Sequence, residues 1–268
     1  MSILHEIFAH KKQELAREKA QRSLVSWQRQ IKTMPAPPSM AAALRGKPGA
    51  TPRLIAEIKR KSPSRGLLRP NLNPEALAQT YVQAGAAAIS VLTDAHYFGG
   101  SLEILQQVAA LNLSVPLLRK DFLFDAYQLF QARGAGASAV LLIVAMLSAS
   151  QLQELLDLAH DLDMMALVEC HTAQEMETAL AAGARLIGVN NRNLHTFEVN
   201  LETCLALRPQ APADILFVAE SGIHTAQDVA RLAQASVDAM LIGEALVTHP
   251  QPERKIQHLL SPQSERAP

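Results

Sequence analysis

The sequence predicts an α/β chain folded as a closed (β/α)8 TIM barrel with an N-terminal helical extension. Three observations carry this. From residue 54 onward, short apolar, β-branched runs alternate with Ala/Leu/Gln-rich stretches of helical spacing, the pattern of a parallel sheet with helices outside. Eight such units fill about 200 residues, the count and size of this barrel. The string "AGA" recurs three times where a helix hands over to a strand. The alternative, an open doubly wound sheet, expects a Gly-rich dinucleotide loop after its first strand; here that place holds "KRKSPSRG".

In chain order, residues 1–50 form the extension. "ILHEIFAHKKQELAREKAQ" reads as an amphipathic helix with Leu4, Phe8 and Leu15 as contacts, and "TMPAPPSMAAAL" as a proline-rich connector. The segment is expected to pack on the barrel, with a freely moving tail as the alternative. The barrel core spans 54–247. Its strands are "LIAEIK", "AAISVL", "VPLLRK", "SAVLLIV", "MALVEC", "RLIGVN", "ILFVAES" and "DAMLIG". The helices between them begin at "NPEALAQTYV", "SLEILQQVAA", "DAYQLFQARG", "SASQLQELLDL", "TAQEMETALA", "NLETCLALRPQAP" and "TAQDVARLAQ". Leu77, Tyr81 and Val82 fall on one side of the first. Asn73-Pro74 is a cap followed by a proline at the first helical position, and Thr172 precedes Glu175 at capping-box spacing. Gly85, Gly136 and Gly183 suit left-handed helix stops. Residues 248–268 add a last helix, "ERKIQHLL", and a loose tail, "SPQSERAP". All of this is expected to form a single domain with no fused partner domain.

Of 268 residues, 49% are hydrophobic and 19% charged, so a sizeable core is possible and disorder is not expected. Lys plus Arg equals Asp plus Glu at 25 each; a neutral total gives no footprint for nucleic acid or a membrane surface. The longest apolar run, "AVLLIVAML", is about half a membrane span. The N-terminus lacks the apolar core of a signal peptide and carries too many acids for a transit peptide, so a cytoplasmic protein is expected; a monomer is the expected state. Cys170 and Cys204 have no metal-ligand spacing and read as buried free thiols. No dinucleotide or metal motif stands out, and no cofactor is expected.

In such barrels the reacting groups stand at the C-terminal ends of strands. Glu57 and Lys59 end strand one and share a face, while Leu54, Ala56 and Ile58 share the other. Lys120 ends strand three, Glu169 strand five and Asn190 strand six, with Arg192 just after. Strand seven runs into "AESG", with Ser221 and Gly222, and strand eight into "IGEA", with Gly243 and Glu244. Glycine turns after the last two strands let backbone N–H groups approach an anion, the usual phosphate grip of these barrels. A small phosphorylated molecule is the expected partner. The basic stretch "KRKSPSRGLL", with Pro63 and Gly66, suits a loop that closes over it.

The strings "AEIKRKSPSRG", "ISVLTDAHYFGGSLE", "LLRKDF", "LVEC", "IGVNNRNL", "AESGI" and "LIGEAL" resemble, in that order, the indole-3-glycerol phosphate synthase family over about residues 54 to 247. The resemblance implies a carboxy-lyase of tryptophan biosynthesis. Its substrate is 1-(o-carboxyphenylamino)-1-deoxyribulose 5-phosphate, which closes its ring and loses carbon dioxide and water. By position it implies that Lys120 is the general acid on the ribulose carbonyl and Glu169 the general base of later steps. Lys59 matches a lysine that binds substrate anions and donates a proton in dehydration, and Glu57 and Asn190 match residues that orient these groups. Arg192, Ser221, Gly222, Gly243 and the backbone of Glu244 match the anion and phosphate grip. Some relatives carry Ser in place of Glu244; a carboxylate there repels phosphate unless it turns away. The chemistry supports the same inventory: a phosphate of about −2 and a benzoate need cations, which Lys59, Lys120 and Arg192 supply. Two alternatives stay open. Phosphoribosylanthranilate isomerase expects a cysteine at the first strand end and an aspartate near the sixth, where this chain has Glu57 and Lys59, and Asn190. A non-catalytic phosphate-binding barrel would keep the glycine turns without needing Lys120 and Glu169 together.

Overall fold

The computed structural model describes residues 3–47, 49–193 and 198–261. Eight parallel strands close into a barrel: β1 (Arg53–Ile58), β2 (Ala88–Leu92), β3 (Leu117–Lys120), β4 (Ala139–Ile143), β5 (Met165–Cys170), β6 (Leu186–Asn190), β7 (Leu216–Glu220) and β8 (Ala239–Ile242). Each strand pairs with the next, and β8 returns to β1 with Arg53 opposite Ala239. All eight fall on the predicted runs.

The alternation of side chains divides the core in two. Ile55, Ala88, Leu118, Leu141, Leu167, Leu186, Val218 and Leu241 fill the barrel interior. Leu54, Ala56, Ile58, Ile89, Val91, Val140 and Val168 point outward into the layer shared with the helices.

Three helices precede the barrel: α1 (Ile3–Gln21), α2 (Leu24–Ile31) and α3 (Met40–Leu44). The extension is packed on the barrel, as expected, but the region read as a connector holds more structure. Ser23 caps α2 and Ser39 caps α3, and Met40 and Leu44 enter the interior cluster beneath the strands. Trp27 of α2 is buried with Nε1 3.1 Å from the hydroxyl of Tyr127, which also lies 3.0 and 2.8 Å from the carbonyl oxygens of Glu18 and Arg22.

The outer helices are α4 (Pro74–Gln83), α5 (Leu102–Ala110), α6 (Ala126–Gly134), α7 (Ala149–Asp161), α8 (Ala173–Ala181), α9 (Glu202–Leu207), α10 (Ala226–Gln234), α11 (Glu244–Val247) and α12 (Pro252–Leu260). Asn73 caps α4 with Pro74 behind it. Gly85, Gly136 and Gly183 take positive φ after their helices. Thr172 caps α8, but Glu175 accepts from the His171 N–H at 2.6 Å, one residue beyond the capping-box donor. The helical pattern through "NLETCLALRPQAP" is cut short because Pro209 has no N–H to continue the ladder, and Arg208–Gln210 tightens into a 3-10 turn. The stretch after β1 carries a short antiparallel hairpin, Lys61–Ser62 against Gly66–Leu67. The expected loose tail lies almost wholly outside the described residues. Among those residues no helix is long and apolar enough to cross a membrane.

Candidate active site

Following each strand upward, the apolar interior gives way to charge at the C-terminal mouth. Ile55 is succeeded on its face by Glu57 and Lys59, Leu118 by Lys120, Leu167 by Glu169, Val218 by Glu220 and Leu241 by Gly243. All ten predicted site residues line one cavity: Glu57, Lys59, Lys120, Glu169, Asn190, Arg192, Ser221, Gly222, Gly243 and Glu244.

Lys120 is the centre. Its Nζ lies 3.1 Å from Glu169 Oε2 and 3.2 Å from Glu220 Oε2. Burial works against its charge, but Glu169, Glu220 and Glu57 outweigh that and hold its pKa above the ordinary lysine value. Burial likewise opposes ionisation of Glu169, yet Lys120, His171 and a 3.2 Å hydrogen bond from Asn190 Nδ2 keep its pKa below the usual range. Glu220 goes the other way. Burial and the charge of Glu169 push it up to about 7 although Lys120 is adjacent, and its Oε1 has no hydrogen-bond partner. Beside this triad, Lys59 Nζ pairs with Glu57 Oε1 at 2.8 Å.

Two glycines make room for these carboxylates. A Cβ on Gly243 would lie 3.0 Å from Glu57 Cδ and 3.2 Å from its Cβ. A Cβ on Gly188 would lie 3.3 Å from Glu220 Cδ and closer still to Oε1. Gly243 thus has a task besides any contact with phosphate. At the turn after β7, Ser221 and Gly222 both take positive φ, 66° and 78°. Such a conformation is uncommon for serine and tends to mark functional sites. Asn191 holds the turn by donating from Nδ2 to the Ser221 carbonyl at 3.0 Å.

The hairpin after β1 brings Ser62, Pro63 and Ser64 to the cavity. It is tethered on two sides. The Lys61 N–H donates to the Phe98 carbonyl at 3.2 Å and its ammonium to the His96 carbonyl. Arg65 Nε pairs with Glu244 Oε1 at 3.0 Å. The Glu244 carboxylate is therefore engaged by a cation. Opposite the glycine turns the cavity is apolar, lined by Leu4 and Ile7 of α1 with Phe98, Phe122 and Ile143.

A buried polar network ties α1 to the loops after β2 and β3. Lys11 is 2% exposed and reaches Asp121 at 2.9 Å, Glu14 at 3.0 Å and Asp94 at 3.8 Å. Arg119, pointing outward from β3, bonds Asp121, Thr93, Gln131 and the Gln128 carbonyl. Asp121, next to Lys120, is lowered to about 2 because Lys11 and Arg119 outweigh its burial.

Glu220, Phe98, Phe122, Lys11 and His171 are additions to the sequence-predicted set. For Glu220 a signal existed: it stands two residues after Val218 in "ILFVAES", hence on the inward face. For the others the signal is weak, because they reach the site from loops and from a helix outside the barrel.

Fold and site together define a (β/α)8-barrel enzyme with an acid–base mouth. The family model described as indole-3-glycerol phosphate synthase matches residues 4–259, and the chain belongs to that family. Curated relatives carrying this name include one from Dehalococcoides mccartyi, 46% identical over 261 residues, with 96% of this chain and all of the relative covered. Another, from Roseiflexus castenholzii, is 48% identical over 265 residues, covering 96% of this chain and 98% of the relative. Among solved structures, 3-hexulose-6-phosphate synthase from Salmonella typhimurium aligns with a TM-score of 0.62 at 13% identity, over 78% of this chain and 98% of that one. At that identity the likeness speaks for the fold alone.

Proposed function

We infer that the chain is an indole-3-glycerol phosphate synthase, closing the ring of 1-(o-carboxyphenylamino)-1-deoxyribulose 5-phosphate with loss of carbon dioxide and water. The observation that carries the reading is the lysine of Lys120, buried between Glu169 and Glu220 at the foot of a cavity with one apolar and one glycine-lined side. The aromatic ring fits the side of Phe98 and Phe122, and the phosphate the side of Ser221, Gly222, Gly243 and the backbone of Glu244. Arg192 and Lys59 meet the substrate anions.

Attack of the ring carbon on the ribulose carbonyl places negative charge on oxygen. Lys120, held protonated by its carboxylate neighbours, supplies the proton there. Carbon dioxide then leaves, and its bonding pair neutralises the cationic ring. Loss of the new hydroxyl takes a second proton, for which Lys59 stands beside Glu57. Glu169, ionised and oriented by Asn190, removes the last proton to give the indole.

The same reading treats the chain as one barrel unit, monomeric and cytoplasmic. Four large apolar side chains are exposed among the described residues, Leu24 and Val25 side by side on α2, Leu67 in the hairpin after β1 and Val199 after β6, and so small a number favours a monomer. The test is purified protein with the ribulose substrate, read by indole fluorescence. Wild type is expected to turn over, and Lys120→Ala to lose about 10²- to 10⁴-fold in kcat. Absence of product from wild type, or near-normal kcat in the variant, refutes the assignment.

A further inference from the structure

We propose that His171 and Glu175 form a proton path from the surface of α8 to Glu169, resupplying the site once per turnover. The inference rests on the function proposed above and concerns residues outside the cavity lining.

The need follows from the atoms. The substrate arrives with an ionised carboxylate and leaves as an uncharged carbon dioxide, an uncharged water and the phosphorylated product. Two protons are spent, one on the carbonyl oxygen and one on the departing hydroxyl. The base recovers one. One proton per turnover must therefore enter from solvent, while the substrate itself fills the mouth.

The geometry offers a route from behind. His171 follows β5 on the same face as Glu169, and its Nε2 lies 3.6 Å from Glu169 Oε1. Its Nδ1 lies 3.5 Å from Glu175 Oε2, and its backbone N–H donates to the same oxygen at 2.6 Å. That short main-chain bond fixes Glu175 in the first turn of α8, beside the imidazole. Side-chain exposure falls along the line, from 24% at Glu175 to 15% at His171 and 3% at Glu169. The sequence of groups thus runs from solvent to the site. His171 Nε2 is buried and has no hydrogen-bond partner. A shift of a few tenths of an ångström brings it into bonding reach of Glu169.

The groups facing the imidazole are carboxylates: Glu175 of α8, Glu169 of β5 and, further off, Glu220 of β7. Together they outweigh its burial and favour the protonated ring. The proton that Glu169 recovers passes to the Lys120 amine, 3.1 Å beyond, and on through Glu57, whose charge acts on Lys120, to the Lys59 amine that it pairs at 2.8 Å; a proton from His171 Nε2 then follows through Glu169 and recharges Lys120. His171 is then reprotonated from water through Glu175. No oxidant or further co-reactant is needed.

His171 is a positioning and relay residue, because it acts through Glu169. The test compares wild type, His171→Ala and Glu175→Gln in the indole fluorescence assay across pH, with and without added imidazole. His171→Ala is expected to lose about tenfold or more in kcat, less than the 10²- to 10⁴-fold of a group acting directly on substrate, with KM little changed. Added imidazole, entering the vacated space, should restore kcat in proportion to its concentration. Glu175→Gln, a surface change that retains an acceptor for the His171 N–H, should lose activity most at high pH, where solvent protons are scarce. Unchanged kcat in both variants overturns the relay, and so does a loss that imidazole leaves untouched, since a purely structural role predicts that result. Wild type with no turnover overturns the functional reading and the relay with it; active wild type with indifferent variants overturns the relay alone.

Discussion

Gly243→Ala separates the two tasks that the turn after β8 could have. The backbone of Gly243, with φ −115° and ψ −69°, is outside the left-handed region, so the cost of a methyl group is one of space. The new Cβ would lie 3.0 Å from Glu57 Cδ and 3.2 Å from Glu57 Cβ. Because even the Cβ of Glu57 is crowded, swinging the carboxylate aside does not relieve the contact. The side chain has to leave its place, and the 2.8 Å bond to Lys59 goes with it. A charge-assisted hydrogen bond contributes about 1.5–3 kcal/mol. If Lys59 needs that bond in the transition state, kcat/KM should fall roughly ten- to a hundredfold. Overpacking should also cost about 1–3 kcal/mol of stability, seen as a lower Tm. The assay is a double-mutant cycle with Glu57→Ala, reading indole formation and Tm in all four proteins. With Glu57 cut back to Ala only the 3.2 Å contact with its Cβ remains, so adding Gly243→Ala should cost clearly less than it does in wild type in either readout. Equal losses in both backgrounds would refute the reasoning and put the glycine's role at the phosphate.

Other outcomes follow from the same geometry. Glu169→Gln keeps the acceptor shape and removes the proposed base; kcat should fall by about 10²- to 10⁴-fold with a modest change in KM, whereas a pure KM effect would make Glu169 a binding residue. Glu220 has a folded-state pKa of about 7 against an ordinary 4.5, so its contribution to stability is fully present below pH 4.5 and is lost as pH rises through 7. Glu220→Gln should therefore match wild type in unfolding free energy near pH 4.5 and exceed it at pH 8, by at most about 3 kcal/mol; an advantage that shrinks with rising pH would contradict this. Lys11→Met leaves Asp121 and Asp94 without their buried ammonium and should cost about 3–5 kcal/mol in urea unfolding, with a lower kcat because Asp121 adjoins Lys120.

The barrel was legible because it is written in local terms. Each strand is a run of apolar residues bounded by polar turns, each helix has its own period, and eight repetitions of the pair admit few other topologies. The segments that escaped are those whose conformation is set from a distance. "LVSWQRQI" forms a helix with Trp27 buried against α6 and bonded to Tyr127, a partner 100 residues away. Met40 and Leu44, in a stretch rich in proline, become helical where they close the barrel floor. The hairpin after β1 depends on tethers to Phe98 and Glu244, which local patterning does not reveal.

The site was legible to the extent that strand parity carries it. Parity places Glu57 with Lys59 and would place Glu220 with Val218, but it says nothing about volume. A carboxylate at the top of a barrel can be buried only if its neighbour across the sheet vacates space and a cation stands within reach. Here the space comes from Gly188 beside Glu220 and Gly243 beside Glu57, and the cations are Lys120 and Lys59. A glycine inside "RLIGVN" already hints at a close approach. Which group approaches is decided by closure and register, through Gly188 opposite Val218 and Asn190 opposite Glu220. The glycine supplies room without supplying a hydrogen bond. Glu220 is accordingly the carboxylate left with an unpartnered oxygen and a raised pKa, while Glu169, which gains Asn190 as well as Lys120, stays ionised. Two glutamates on the same lysine are thus driven to opposite protonation behaviour by what stands on their far sides.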